Sequence, residues 1–110
     1  MKKIITAFAA VFLFVCSAAF AEEHAKAALE HAQAAVEHGK AGHAKVLVEH
    51  ASVALEHALA GAIVDRGLQK EHLEAGAAEL EEAINHGNLG HAEVATQHAE
   101  AAVTHLKAAQ

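Results

Sequence analysis

The chain has 110 residues, a length suited to one small domain. It carries 14 acidic and 8 basic side chains, eleven histidines, one cysteine and no proline, tyrosine or tryptophan, for a net charge of −6 with histidine neutral. That balance argues against a binder of nucleic acid or anionic membrane, which needs a cationic surface, and one cysteine rules out an intramolecular disulfide framework.

Residues 1–21 are expected to be a cleavable export signal. Met1-Lys2-Lys3 is a basic start, Ile4 through Cys16 an apolar run too short for a spanning helix, and Ala19-Phe20-Ala21 an A-x-A-like cut site. Cys16 is read as part of that run. Leu13-Phe14-Val15 before it lacks the small residues expected of a lipid-attachment site. A cut after Ala21 removes every phenylalanine, the cysteine and the methionine, and with them Lys2 and Lys3. What remains, residues 22–110, has six basic against 14 acidic side chains, a net charge of −8, and keeps all eleven histidines. Leu, Ile and Val are sparse and Ala abundant there, so the expected core is thin and strongly helical.

Four helices are expected. In the first, over residues 22–38, Ala25, Leu29, Ala32 and Val36 alternate spacings of four and three, a narrow heptad stripe. Gly39 is read as its left-handed terminator. The second, over residues 42–60, turns Ala44, Leu47, Val48, Ala51, Ala54, Leu55 and Ala58 inward. The connection between them is short enough to make them antiparallel neighbours. A break is expected within residues 61–67, with Asp65 as a candidate N-cap for a third helix over residues 65–86. Its inward residues are Leu73, Ala77, Leu80 and Ile84. The fourth, over residues 90–108, turns Ala92, Ala95, Ala99, Ala102, Val103 and Leu106 inward.

The halves repeat at an offset of 48 residues: His38/His86, Gly39/Gly87, Gly42/Gly90, His43/His91, His50/His98 and His57/His105 correspond. The fold expected is therefore all-α, an antiparallel four-helix bundle made of two duplicated hairpins over residues 22–110.

Within each hairpin the histidines mirror one another about a glycine-flanked turn. The rungs are His24/His57, His31/His50 and His38/His43, then His72/His105, Glu79/His98 and His86/His91. Histidines seven apart on one helix lie about 10.5 Å apart along its axis, too far to share an ion held at about 2.0–2.1 Å. Positions three and four away from a histidine are most often alanine, and Glu82 before His86 is the one side chain there of a ligating type. A shared ion must then be gripped from two helices. Rungs within each hairpin and histidines aimed across at the other hairpin both use the same residues. Glu79 can ligate through oxygen where it stands for His, and Glu82 is a further candidate ligand. Two ligands per rung leave coordination positions open, which suits capture and release.

Glu23, Glu30, Glu37, Glu49, Glu56 and Glu71 each precede a histidine, point about 100° away from it and are read as solvated charge that raises the local cation concentration. A free terminus at Glu22-Glu23-His24 would add a tetragonal nitrogen set for Cu(II) or Ni(II). Imidazole without thiolate or thioether favours copper(II), with nickel(II) and zinc(II) next, and binding is expected to fail below about pH 6.5 as protons compete.

The repeats Glu30-His31-Ala32 to Val36-Glu37-His38-Gly39, the turns at residues 39–43 and 87–91, and Ala95-Thr96-Gln97-His98-Ala99 resemble the small metal-binding protein (SmbP) family of exported bacterial proteins. The resemblance covers nearly all of residues 22–110. It implies a periplasmic four-helix bundle that binds several copper ions and other divalent metals, for sequestration or tolerance.

No Glu-x-x-His, HExxH or nucleophile motif is present, so no enzyme is expected. The partners expected are metal ions, with no nucleic acid, no membrane after the signal is cut, and a monomeric chain. The competing function is a pH-responsive histidine-rich helical interaction protein without a physiological metal. Eleven protonations would carry its charge from −8 to about +3.

Overall fold

The computed structural model describes the backbone of residues 2–110 and the side chains from residue 19 onward, so the apolar run and Cys16 of the expected signal lie outside the described side chains. Four helices make up the fold: α1 (Lys2–Lys40), α2 (Ala44–Val64), α3 (Leu68–Asn88) and α4 (Ala92–Ala108). Each packs on its neighbours in the chain, and α1 packs on α4 to close the ring. This is the all-α, four-helix arrangement expected of two short-looped hairpins.

The α1–α2 and α3–α4 turns are the same structure built twice. His43 N–H donates to the His38 carbonyl at 2.9 Å, and Gly42 N–H donates to the Gly39 carbonyl at 2.9 Å. The copies are His91 to His86 at 2.9 Å and Gly90 to Gly87 at 3.0 Å. These paired bonds define a Schellman turn, whose left-handed residue is Gly42 (φ +81°) in one copy and Gly90 (φ +78°) in the other. The terminator is thus Gly42 and not Gly39, and α1 runs two residues past its expected end.

Gly39 and Gly87 serve a different purpose. Both are buried inside their helices. A Cβ on Gly39 would collide with Thr96 Oγ1 and lie 2.6 Å from Leu47 Cδ1, while one on Gly87 would lie 2.5 Å from Val48 Cγ2. Since Thr96 duplicates Val48, the contact from α1 to α4 is repeated from α3 to α2. The missing side chains let the two hairpins touch.

Asp65 does not cap α3. It closes α2 in an extended conformation, its N–H donating to the Gly61 carbonyl at 2.9 Å, and its own Oδ1 accepts from Arg66 N–H at 2.7 Å. Gly67 (φ +75°) turns the chain into α3 instead, three residues later than expected. Ala62, Ile63 and Val64 stay helical. By length and composition α2 could cross a bilayer, yet Leu47, Ala51, Ala54, Ala58 and Ala62 turn into the bundle.

The core is chiefly alanine. Among the described residues, only Leu47, Leu73, Leu80 and Leu106 are large side chains fully shielded from solvent. In α1 the buried row is Ala25, Ala28, Ala32 and Ala35, with Leu29 and Val36 at its margin. At 100° per residue that row is turned about 50° toward the histidines relative to the expected stripe. The closest line of helix contact selects the smallest side chains, so the larger ones fill its flank.

The duplicated halves balance their volumes. Leu106 packs on Gly76, whose Cβ would lie 2.9 Å from Leu106 Cδ2; the corresponding positions in the first half are Ala58 and Ala28. Leu73 likewise packs on Gly61, where the other copy has Ala25 and Ala109. Each of these two leucines is matched by a glycine.

Helix propensity alone would make Gly39→Ala stabilising by about 1 kcal/mol. Overpacking against Thr96 and Leu47 reverses the sign, and a net loss of about 1–2 kcal/mol is expected. Chemical denaturation of Gly39→Ala, Thr96→Ala and the double variant checks this: the double variant should recover most of the loss.

Candidate metal centre

Because the Schellman turn ties the third-last helical residue to the first residue beyond the turn, positions i and i+5 come side by side, a place where such turns usually carry an apolar contact. Here those positions are His38/His43 and His86/His91, with ring centroids 6.2 Å and 5.9 Å apart. Heptad spacing outward from this first rung brings the next histidines of α1 and α2 together in turn.

The first hairpin carries an unbroken run of imidazoles. His24 Nδ1 and His57 Nδ1 are 3.1 Å apart, and His31 Nδ1 and His50 Nδ1 are 3.4 Å apart, each a hydrogen bond in which one neutral ring donates to the other. The diagonals are as close as the rungs. His31 and His57 stack at 6.0 Å, and His38 and His50 stack at 5.2 Å with planes only 5° apart. Following the chain of contacts gives His24, His57, His31, His50, His38 and His43 as one zigzag.

The diagonals have a simple cause. Histidines of one helix stand about 10.5 Å apart, and those of the other fall about halfway between them. The ladder is therefore evenly spaced along its length.

The second hairpin is interrupted. His72 and His105 lie 6.4 Å apart. His86 sits against both His91 and His98, the latter stacked at 5.4 Å with planes 6° apart. Glu79, standing where the first hairpin has His31, holds His98 Nδ1 at 2.8 Å from its Oε2. Glu82, His86 and His98 each offer one ligand atom, all within 4.8 Å of one another. The proximity of Glu82 to His98 is not legible in sequence, because it lies off the mirrored rungs, which place Glu79 opposite His98.

All the expected site residues thus fall on one or other hairpin seam. The pairing runs within hairpins and not between them. Nine of the histidines are half-buried, while His43 and His91 beside the turns are exposed. Glu23, Glu30, Glu37, Glu49, Glu56 and Glu71 all face solvent. Residues 22–24 are helical, and His24 is engaged with His57.

The donor set fits divalent transition ions: neutral imidazole nitrogens at the boundary of an apolar core, with carboxylates at two places. One polar atom is short of a partner. Among the described residues, the buried side-chain atom without a hydrogen bond is His86 Nδ1. Leaving such an atom unpaired costs about 1–3 kcal/mol, and a bound cation is one means of satisfying it.

No curated protein matches the chain by sequence. The family model described as small metal-binding protein matches residues 1–109, and the chain belongs to that family of metal-binding proteins.

Proposed function

We propose that this protein is exported to the periplasm and there binds several divalent transition-metal ions, copper(II) first and nickel(II) or zinc(II) after it, to buffer or sequester them. The histidines are the ligands: His24, His31, His38, His43, His50 and His57 on the first hairpin, and His72, His86, His91, His98 and His105 on the second. The observation that carries this reading is the unbroken imidazole zigzag of the first hairpin, with neighbouring rings 5.2–6.2 Å apart. Every ring has a second one close enough to share an ion, and among the described residues no thiol or thioether lies beside them, so Cu(II) is favoured over Cu(I).

Storage fits better than catalysis. A structural site closes its coordination sphere with four protein ligands. Two imidazoles from facing helices leave positions for water or for a receiving chelator. The protein acts as a monomer, since each site is completed within one hairpin.

Metal and fold are coupled. Ions bind the folded state, in which the two helices hold their histidines together, and so they stabilise it. Titration at neutral pH followed by native mass spectrometry should show several Cu(II) equivalents. The thermal midpoint should rise by roughly 10 °C at about a hundredfold excess over Kd. Lowering the pH to about 5 should release the ions, because protons compete for the same nitrogens. A chain that stays free of Cu(II), Ni(II) and Zn(II), yet changes conformation near pH 6, belongs to the competing class of pH-responsive interaction proteins.

Pairing can be tested at a single rung. His31→Ala and His50→Ala should each weaken the same Cu(II) equivalent, with the double variant little worse than either single one. A coupling of about 1–3 kcal/mol is expected in that cycle. His105→Ala should leave this equivalent unchanged. Additive losses at His31 and His50 would show the two rings acting apart.

A further inference from the structure

We propose that the α3–α4 hairpin holds a metal site of a different chemical class from the imidazole ladder, built from Glu82, His86 and His98 and suited to a divalent ion that takes mixed oxygen and nitrogen ligation, the class of Mn(II), Fe(II) and Zn(II). The inference rests on the reading that the histidines hold ions, and it divides them between the hairpins.

Three features meet here. Glu82 precedes His86 by four residues, so carboxylate and imidazole share a helix face; the duplicate of Glu82 is Ala34. His98 reaches the same point from α4, which brings one ligand atom from each of three residues within 4.8 Å. His86 Nδ1, buried and without a hydrogen-bond partner, belongs to one of the three.

Glu79 completes the arrangement from behind. Its Oε2 lies 2.8 Å from His98 Nδ1, so a proton on that nitrogen is donated to the carboxylate. The lone pair of the ring then sits on Nε2, free for an ion. A carboxylate behind a ligating histidine fixes its tautomer and orientation and makes it a stronger donor. Glu79 is a positioning residue in this site, in contrast to the ligand expected from its place on the rung. Its duplicate in the first hairpin, His31, instead pairs with His50 as one more imidazole.

The two donor sets select differently. Cu(II) heads the usual order at either donor set, and at an all-imidazole seam Mn(II) stands far below it. Carboxylate oxygen raises the standing of Mn(II), Fe(II) and Zn(II), and the charge on Glu82 offsets that of the ion. One small bundle then holds copper-like ions on one seam and a harder ion on the other.

Mn(II) alone is the discriminating probe, because bound Mn(II) loses the electron paramagnetic resonance signal of the free ion. The full chain should take up one Mn(II) equivalent. Glu82→Ala and His98→Ala should weaken it at least about tenfold, and Glu79→Gln by about 10–100-fold, as outer-shell substitutions do. His50→Ala, at the duplicate of His98, should leave it unchanged. Glu82 is exposed on its helix, so Glu82→Ala should fold and melt as the parent does. Ala34→Glu, which copies Glu82 into the first hairpin, should add a second Mn(II) equivalent. Mn(II) uptake that ignores Glu82, or that falls equally with His50→Ala, overturns this inference while leaving Cu(II) capture by the ladder standing. A chain that takes up none of Cu(II), Ni(II) or Zn(II) overturns both.

Discussion

The backbone hydrogen bond from His43 N–H to the His38 carbonyl, repeated from His91 to His86, sets where every other histidine meets its partner. A Schellman turn places residues i and i+5 together and admits little variation in how the two helices leave it. With histidine at both positions, the first rung is made by the turn itself. Each further step of seven residues on both helices then carries a pair outward without loss of register. One residue more or fewer between Gly39 and His43 would rotate one seam about 100° against the other, and the rungs beyond the turn would be lost together.

Register alone does not bring the rings within reach. The helices must also lie close, and the alanine rows do this. Ala25, Ala28, Ala32 and Ala35 on α1 and Ala51, Ala54 and Ala58 on α2 are buried, and their single methyl groups permit a short interaxial distance. The same choice limits stability, since an alanine side chain removes little apolar surface from water. Among the described residues four leucines supply the larger fully buried volumes, and two of them, Leu73 and Leu106, are each matched by a glycine across the interface. The fold is therefore tuned for close approach more than for a deep core. Ions bridging two helices would add stability where the core contributes least.

This explains what could be read in the sequence and what could not. Mirror spacing of the histidines about two glycine-flanked turns made the rungs, the hairpins and the offset of 48 residues legible, because these depend on counting along the chain. Gly39 was assigned to the turn, although its duplicate Gly87 shows the same burial against the other hairpin. A glycine needed for backbone conformation and one needed for interhelix contact look alike until a neighbour is in view. Asp65 was read as a cap from its residue type, but its carboxylate is taken by the next N–H, that of Arg66. Of the row expected in α1, Ala25 and Ala32 are buried, whereas Leu29 and Val36 lie at its margin and Ala28 and Ala35 join the tightest contact instead. For Gly39 and the α1 row a partner distant in sequence outweighs local preference, while for Asp65 the neighbouring N–H does.

The choice of pairing within hairpins over pairing between them has the same origin. Gly39 against Thr96 and Gly87 against Val48 make the contact between hairpins on the side of the helices away from the histidine rows. At 100° per residue, Gly39 stands about 100° from His38 and Gly87 about 100° from His86. Each helix therefore offers one direction to the other hairpin and another to its own partner, and the histidines follow the second. The two seams are consequently separate surfaces on opposite pairs of helices. A substitution on one, such as Glu79 for the histidine its duplicate retains or Glu82 for alanine, changes the chemistry of that seam without altering the helix contacts that keep the other in place. A duplicated hairpin with this division can keep one ladder intact while the other changes its ligands.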